Sequence, residues 1–403
     1  MPALAQSQPR YDDAKQYGAV SVNDTDRPLF KPQGIRIGNY IVSPEIGYAT
    51  AFSDNIYGSS TSRSSGFRHE LSGGVKFTSD LPRHLLDFMV AGRGVAVQDH
   101  SDMNFVDLRA SMRFRIDIDR NHNIFGSAMR ERVHEETITY ETPTNARRPI
   151  EIVRTRAEAG VMRDVGRLSM ATGARFEQWN FKDVEAYGGS TLDQDYRDLS
   201  ILSPFVRFGY RPSPGYRLLA EGELNFQRAP GAGSGLDHDA RGYRVLAGVE
   251  MELSPLVRLV LKGGHGAMRF SNSALQDVAM PIGEARVEWL VTPRLTLHAG
   301  AARTLEPVTI VGTSARESTK YFAGADAELL NNLVLRAGIE RRYNSYFGAT
   351  TPDQLMIGRI SLEYAHTTNW LFTAGYENRL RILGLPETEA RENRVTVGVK
   401  YRY

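Results

Sequence analysis

Cysteine is absent from the 403 residues, so neither a disulfide nor a thiolate metal site can hold this chain together. The absence suits an oxidising envelope, though many cytosolic chains share it. Long apolar runs are missing too. None approaches the ~18 residues of a membrane-crossing helix, and mean hydropathy is below zero. Nor is there an excess of one charge. Lys and Arg number 49 against 47 Asp and Glu, a formal +2. They form no basic block, which excludes the electrostatic footprint of a nucleic-acid binder. No long i, i+3, i+4 apolar pattern follows residue 40. A chain of this length would ordinarily divide into two soluble domains. One membrane class escapes all these exclusions: a transmembrane barrel alternates lipid-facing and lumen-facing residues, so its mean hydropathy is modest.

What is present is alternation. Leu108, Ala110, Met112, Phe114, Ile116 and Ile118 share one parity; Asp107, Arg109, Ser111, Arg113, Arg115 and Asp117 share the other. Val245, Ala247, Val249, Met251 and Leu253 oppose Arg244, Gly248, Glu250 and Glu252. Val395, Val397, Val399, Tyr401 and Tyr403 close the chain in the same way. Period 2 is the strand period. The segments exceed the usual 5–6 residues of soluble strands and reach the ~9–11 of a tilted bilayer crossing. Connections alternate between short and long. "SDLPR" (79–83), "RPSPG" (211–215) and "NN" (331–332) are short; "NIYGSSTSRSSG" (55–66), "DVEAYGGSTLDQDY" (183–196) and "APGAGSGLDHDA" (229–240) are long. A two-sheet sandwich would also bury an apolar face. Segment length and loop asymmetry point instead to an all-β fold: a closed antiparallel transmembrane β-barrel of about 18 strands, with short periplasmic turns and long extracellular loops. Residues 40–403 form the barrel and its place is the bacterial outer membrane. Residues 1–39 are an N-terminal segment that hangs in the periplasm, folds into the lumen or meets a partner. Ala3-Leu4-Ala5 before Gln6 resembles the tail of a cleaved signal peptide, making residues 1–5 its remnant.

Aromatic residues near the short turns predict an interfacial girdle: Tyr210, Tyr216, Trp289, Tyr364, Trp370, Tyr401 and Tyr403. The other face predicts a charged, water-filled lining. Its basic members include Arg113, Arg115, Arg130, Arg132, Arg154, Arg156, Arg175 and Arg286. Its acids include Glu221, Glu223, Glu250, Glu252, Glu284 and Glu288. Arginine concentrates on the early strands and acid on later ones. Two arrangements fit: rows of opposite charge facing across the pore, or cross-strand ion pairs that stiffen the wall. No metal or cofactor site is expected. "RVHEET" lacks the second His of a zincin helix, and His134, placed with Arg130 and Arg132 on the inner face, is a satisfied polar neighbour. "GAGSG" (231–235) lacks the Lys-Ser/Thr of a phosphate loop. No Ser/His/Asp constellation anchors a hydrolase, so no enzyme is expected.

The stretch "RPLFKPQGIRIGNYIVSPEIGYATAFSDNIY" (27–57) resembles the start of the type 2 β-barrel porin family. It carries Arg27-Pro28, Gly34-Ile35-Arg36, Gly38, Tyr40, Pro44 and Asp54-Asn55-Ile56-Tyr57 at the family's spacing. Tyr403, preceded by alternate apolar residues, looks like the signal read by the barrel-assembly machinery, where phenylalanine is commoner. The resemblance implies an outer-membrane channel associated with exopolysaccharide export. It would work beside a periplasmic polysaccharide-export protein and sit among outer-membrane lipid and lipopolysaccharide. A general or solute-selective diffusion porin is the alternative, and a non-conducting scaffold or adhesin a third.

Overall fold

The computed structural model describes residues 20–135, 146–229, 231, 237–308, 310, 312–349, 352–384 and 388–403; the signal-peptide reading of residues 1–5 lies outside them. The strands are β1 (Ile35–Ile37), β2 (Tyr40–Ser53), β3 (Gly66–Ser79), β4 (Leu85–Val97), β5 (Phe105–Asp117), β6 (His122–His134), β7 (Glu151–Val165), β8 (Leu168–Phe181), β9 (Val184–Glu185), β10 (Thr191–Leu192), β11 (Leu199–Tyr210), β12 (Tyr216–Arg228), β13 (Ala240–Ser254), β14 (Val257–Phe270), β15 (Val278–Thr292), β16 (Leu295–Pro307), β17 (Ala315–Leu330), β18 (Leu333–Tyr346), β19 (Asp353–Ala365), β20 (Trp370–Leu383) and β21 (Thr388–Arg402). Setting aside β1 and the small loop hairpin β9–β10, the remaining 18 form one antiparallel barrel. It closes because β2 pairs with both β3 and β21. Closure gives every strand two neighbours and leaves no edge, as a wall in lipid requires.

The expected asymmetry of connections is present. Only residues 166–167, 255–256, 293–294 and 331–332 join β7 to β8, β13 to β14, β15 to β16 and β17 to β18. The opposite end carries residues 54–65, 135–150 and 182–198 between β2 and β3, β6 and β7, and β8 and β11. Both barrel termini lie at the short-turn end.

Pro44 has a specific place. The ladder from β2 to β21 begins at Glu45↔Arg402, while β1 occupies the same edge opposite Tyr40, Ile41 and Val42. Pro44 falls between the two, and its carbonyl accepts the Tyr403 N–H at 3.1 Å. A residue without an N–H thus stands where the ladder is already broken. The β1–β2 turn uses Gly38 at φ +57, a backbone that costs other residues about 1–2 kcal/mol.

Apolar residues of alternate parity stand exposed on the outside, among them Ile46, Leu71, Val90, Leu108, Val245 and Val395. In water such a belt would be a liability; in a bilayer it is the solvated face. Gly126 illustrates how tightly this surface packs: a Cβ there would meet the Phe114 ring at 2.6 Å.

Candidate pore lining

Directly opposed residues in an antiparallel pair share a face, so the register sorts the side chains. Arg109 lies opposite Glu131 and Glu131 opposite Arg154; all three point into the barrel. The Glu131 side chain has no exposed surface. It accepts from Arg109 at 2.8 Å and meets Arg154 on the other side. The pattern continues round the wall. Arg113 bridges Asp87 at 2.7 Å and Arg115 pairs with Asp117 at 3.1 Å. Arg156 meets Glu177 at 3.0 Å. Arg175 lies between Glu158 at 3.0 Å and Glu223 at 3.3 Å, and Glu223 also meets Arg244 at 3.1 Å. Lys262 stands between Glu221 at 3.1 Å and Glu284 at 3.3 Å. Glu250 faces Arg217 at 3.6 Å, while Arg258 joins Glu288 at 3.2 Å to Glu252 at 3.9 Å. Arg286 shares their face but has no ion-pair partner among the described residues. The charges therefore meet mainly across neighbouring strands, as compensated pairs rather than as two facing rows.

Arg130 and Arg132 require a correction. They lie opposite Ala110 and Leu108 on β5, and opposite Thr155 and Val153 on β7. Both therefore sit on the outward face with Ile124, Gly126 and Ala128. In the triplet Arg130-Glu131-Arg132 the single glutamate, not the two arginines, is the inward residue. The usable signal was the small and apolar residues sharing the arginines' parity. Both arginines lie toward the long-loop end, where a long stem can lift its head group out of the apolar layer.

The expected girdle residues all lie near the short-turn end. Tyr210, Tyr216, Trp289, Tyr364, Trp370, Tyr401 and Tyr403 are 37–47% exposed. Trp370 packs edge-on against Tyr401, with ring centroids 5.1 Å apart.

Inside that same end lies an element the alternation could not reveal. Residues 20–30 rest on the inner wall. The buried Val22 donates its N–H to Thr296 Oγ1 at 3.0 Å. Asn23 donates to Asp326 at 2.7 Å, and Arg27 to Glu328 at 3.0 and 2.7 Å. The Leu29 and Phe30 carbonyls accept from Thr368 at 3.1 Å and Arg402 at 2.8 Å. The acceptors on β16 and β17 thus hold a strap along the inner wall at the short-turn mouth.

At the opposite end, side chains tie the loops together. The Tyr57 hydroxyl donates to Asp102 at 3.1 Å and shares a hydrogen bond with His100 Nδ1 at 3.0 Å; His100 Nε2 lies 3.2 Å from Ser64 Oγ. Burial, reinforced by the Asp102 carboxylate, pushes the Tyr57 hydroxyl up to about 12. Arg197 and Glu135 form a buried two-pronged pair at 2.8 and 3.1 Å, and the Arg197 guanidinium covers the Phe181 ring at 4.1 Å. Asp183, Asp193 and Asp195 gather in an exposed loop, but Asp183 and Asp193 already accept backbone N–H groups from Gln194 and Asp195.

The family model described as Putative beta-barrel porin 2 matches residues 27–403. The chain belongs to that family. No curated protein sequence matches it. Among solved structures, this porin-family barrel is similar to OccK2 (OpdF) of Pseudomonas aeruginosa in complex with glucuronate. Identity is 11% and the TM-score 0.50, covering 92% of this chain and 100% of the other. It is similar also to a mutant ferric enterobactin receptor (PfeA) of Pseudomonas aeruginosa in complex with enterobactin, at 10% identity and TM-score 0.50, covering 93% and 82%. At these identities the likeness is one of fold. The family places the porin in the bacterial outer membrane, with its short turns periplasmic and its long loops extracellular.

Proposed function

We propose that this porin is a passive conduit for hydrated carbohydrate, with exopolysaccharide leaving the cell as its cargo. The observation that carries the reading is the compensated wall. Guanidinium and carboxylate groups are largely paired with each other, so the lining offers many hydrogen-bonding sites and little net field. A polyhydroxylated chain can exchange weak contacts along such a surface without being trapped at any one of them. In this reading a periplasmic export protein delivers the polymer, and the assembly machinery engages β21 through Tyr403. Deleting the gene and measuring surface polysaccharide tests it: secretion should fall, and unchanged secretion sinks the idea.

A second reading is a diffusion porin for small solutes. The strap on the mouth favours it, because narrowing suits a small solute better than a polymer. The OccK2 structure with glucuronate supplies a precedent of fold alone. Planar-bilayer recordings separate the two. Large, stable open steps in the isolated protein, with normal polysaccharide secretion in the deletion strain, decide for the diffusion porin.

A further inference from the structure

Most inward arginines have an acid beside them. Several outward ones among the described residues do not, and three of these stand together. Arg228, Arg241 and Arg269 lie at the extracellular ends of the adjacent strands β12, β13 and β14, and all three are exposed. Arg241 stands directly opposite Arg269. Arg228 is two residues beyond Phe226, the residue opposite Arg241. None of the three has an ion-pair partner among the described residues. Ser200 on β11, opposite Arg228, is uncharged; one step past the Gln227–Ala240 and Met268–Val278 pairs, Asp239 comes level with Arg228 and Asp277 with Arg269. Asp237, Asp239 and Asp277 each accept one backbone N–H, from Asp239, Ala229 and Phe270, and none forms an ion pair with the three arginines among the described residues. Like charges set opposite each other destabilise a sheet, and an anion bridging Arg241 and Arg269 would relieve that repulsion.

Its height identifies the anion. On β12 the outward series runs from Tyr216 to Phe226 before Arg228. On β13 it runs from Leu253 to Tyr243 before Arg241, and on β14 from Val257 to Ala267 before Arg269. Ten residues at ~3.3 Å each, tilted ~40°, climb about 25 Å, the height of the apolar band of an outer-membrane barrel. Phe226 and Tyr243 are 42% and 41% exposed, and Tyr243 stacks on His265 at 6.0 Å. These rings mark the interface. The three guanidiniums therefore stand one step above it, at the level of the outer-leaflet head groups.

We propose that Arg228, Arg241 and Arg269 form a binding site for the phosphorylated head group of lipopolysaccharide. Phosphate accepts paired guanidinium donors, and a bis-phosphorylated disaccharide would relieve the Arg241–Arg269 repulsion. Its acyl chains would lie along the apolar outward faces of β12 to β14. This site is independent of what crosses the lumen.

The test uses the full-length barrel, folded in detergent, and native mass spectrometry of bound lipid. The native protein should retain bis-phosphorylated lipid A and lose it as ionic strength rises. Dephosphorylated lipid A should bind far more weakly. The triple variant R228Q/R241Q/R269Q should lose affinity on the order of a hundredfold, and each single variant about fivefold. Arg303→Gln, an outward arginine already paired with Glu317 at 2.7 Å, should leave binding unchanged. Equal retention of the two lipids by the native protein overturns the site, and that comparison needs no variant to fold. So does undiminished binding by a folded triple variant. Inorganic phosphate displacing the lipid at comparable concentration would also overturn it, by showing a phosphate site rather than a lipid site.

Discussion

Glu131 carries two arginines with no exposed surface of its own. Removing one partner of a buried charge group costs far more than the group itself contributes, because the remaining charges are stranded. Glu131→Ala should therefore destabilise the barrel by about 3 kcal/mol, read as a shifted urea midpoint for barrels refolded in lipid. Glu288→Ala, at a partly exposed pair with Arg258, should cost below ~1 kcal/mol. Similar losses at both positions would show that burial does not rank these pairs. Tyr57 offers a titration. Its hydroxyl is raised to about 12, so the folded loop favours the neutral form. Its stabilisation is complete below the ordinary phenol value of ~10 and is lost as pH climbs toward about 12. A difference titration of tyrosinate absorbance, native protein minus Tyr57→Phe, should show one late-titrating phenol. A difference centred near ~10 would contradict the loop contact.

At the scale of elements, the strap on the periplasmic mouth is held by an ion pair and a set of hydrogen bonds. Arg27 reaches Glu328 with two donors, and Asn23 reaches Asp326. Arg27→Glu sets like charges against each other and should release residues 20–30 from the wall. Single-channel conductance should rise, with β2 to β21 still forming a heat-modifiable barrel. Unchanged conductance in a folded variant would mean that the strap does not limit the path. The β1–β2 hairpin is a separate device. It covers the edge of β2 that β21 leaves free, and Gly38 at φ +57 makes its turn possible.

For the whole molecule, the compensated wall predicts weak ion selectivity. A potassium chloride gradient across a planar bilayer should give a reversal potential near zero. Arg286 is an inward cation with no paired acid among the described residues. Arg286→Glu should move the reversal potential toward cation preference, whereas Arg113→Gln, already matched by Asp87, should move it less. A strongly selective native channel would show instead that a few unpaired charges dominate the lumen.

Alternation in the sequence was enough to place eighteen strands, their short and long connections and the aromatic ends. Facing is a local property, set by a covalent geometry that turns successive side chains to opposite sides. It failed at β6 for a local reason. Phe125, Met129 and Val133 point inward there while Arg130 and Arg132 point out, so the charges no longer mark the lumen. The partnerships could not be read at all. Glu131 meets Arg109 and Arg154, Glu223 meets Arg175 and Arg244, and Arg241 meets Arg269, only because hydrogen-bond register brings them level. The strap depends on closure, since Val22 and Thr296 are distant in sequence and meet only when the barrel is complete. Sequence alone settled which residues alternate; register and closure, fixed by contacts between distant strands, settled which charges neutralise one another and which are left facing the membrane.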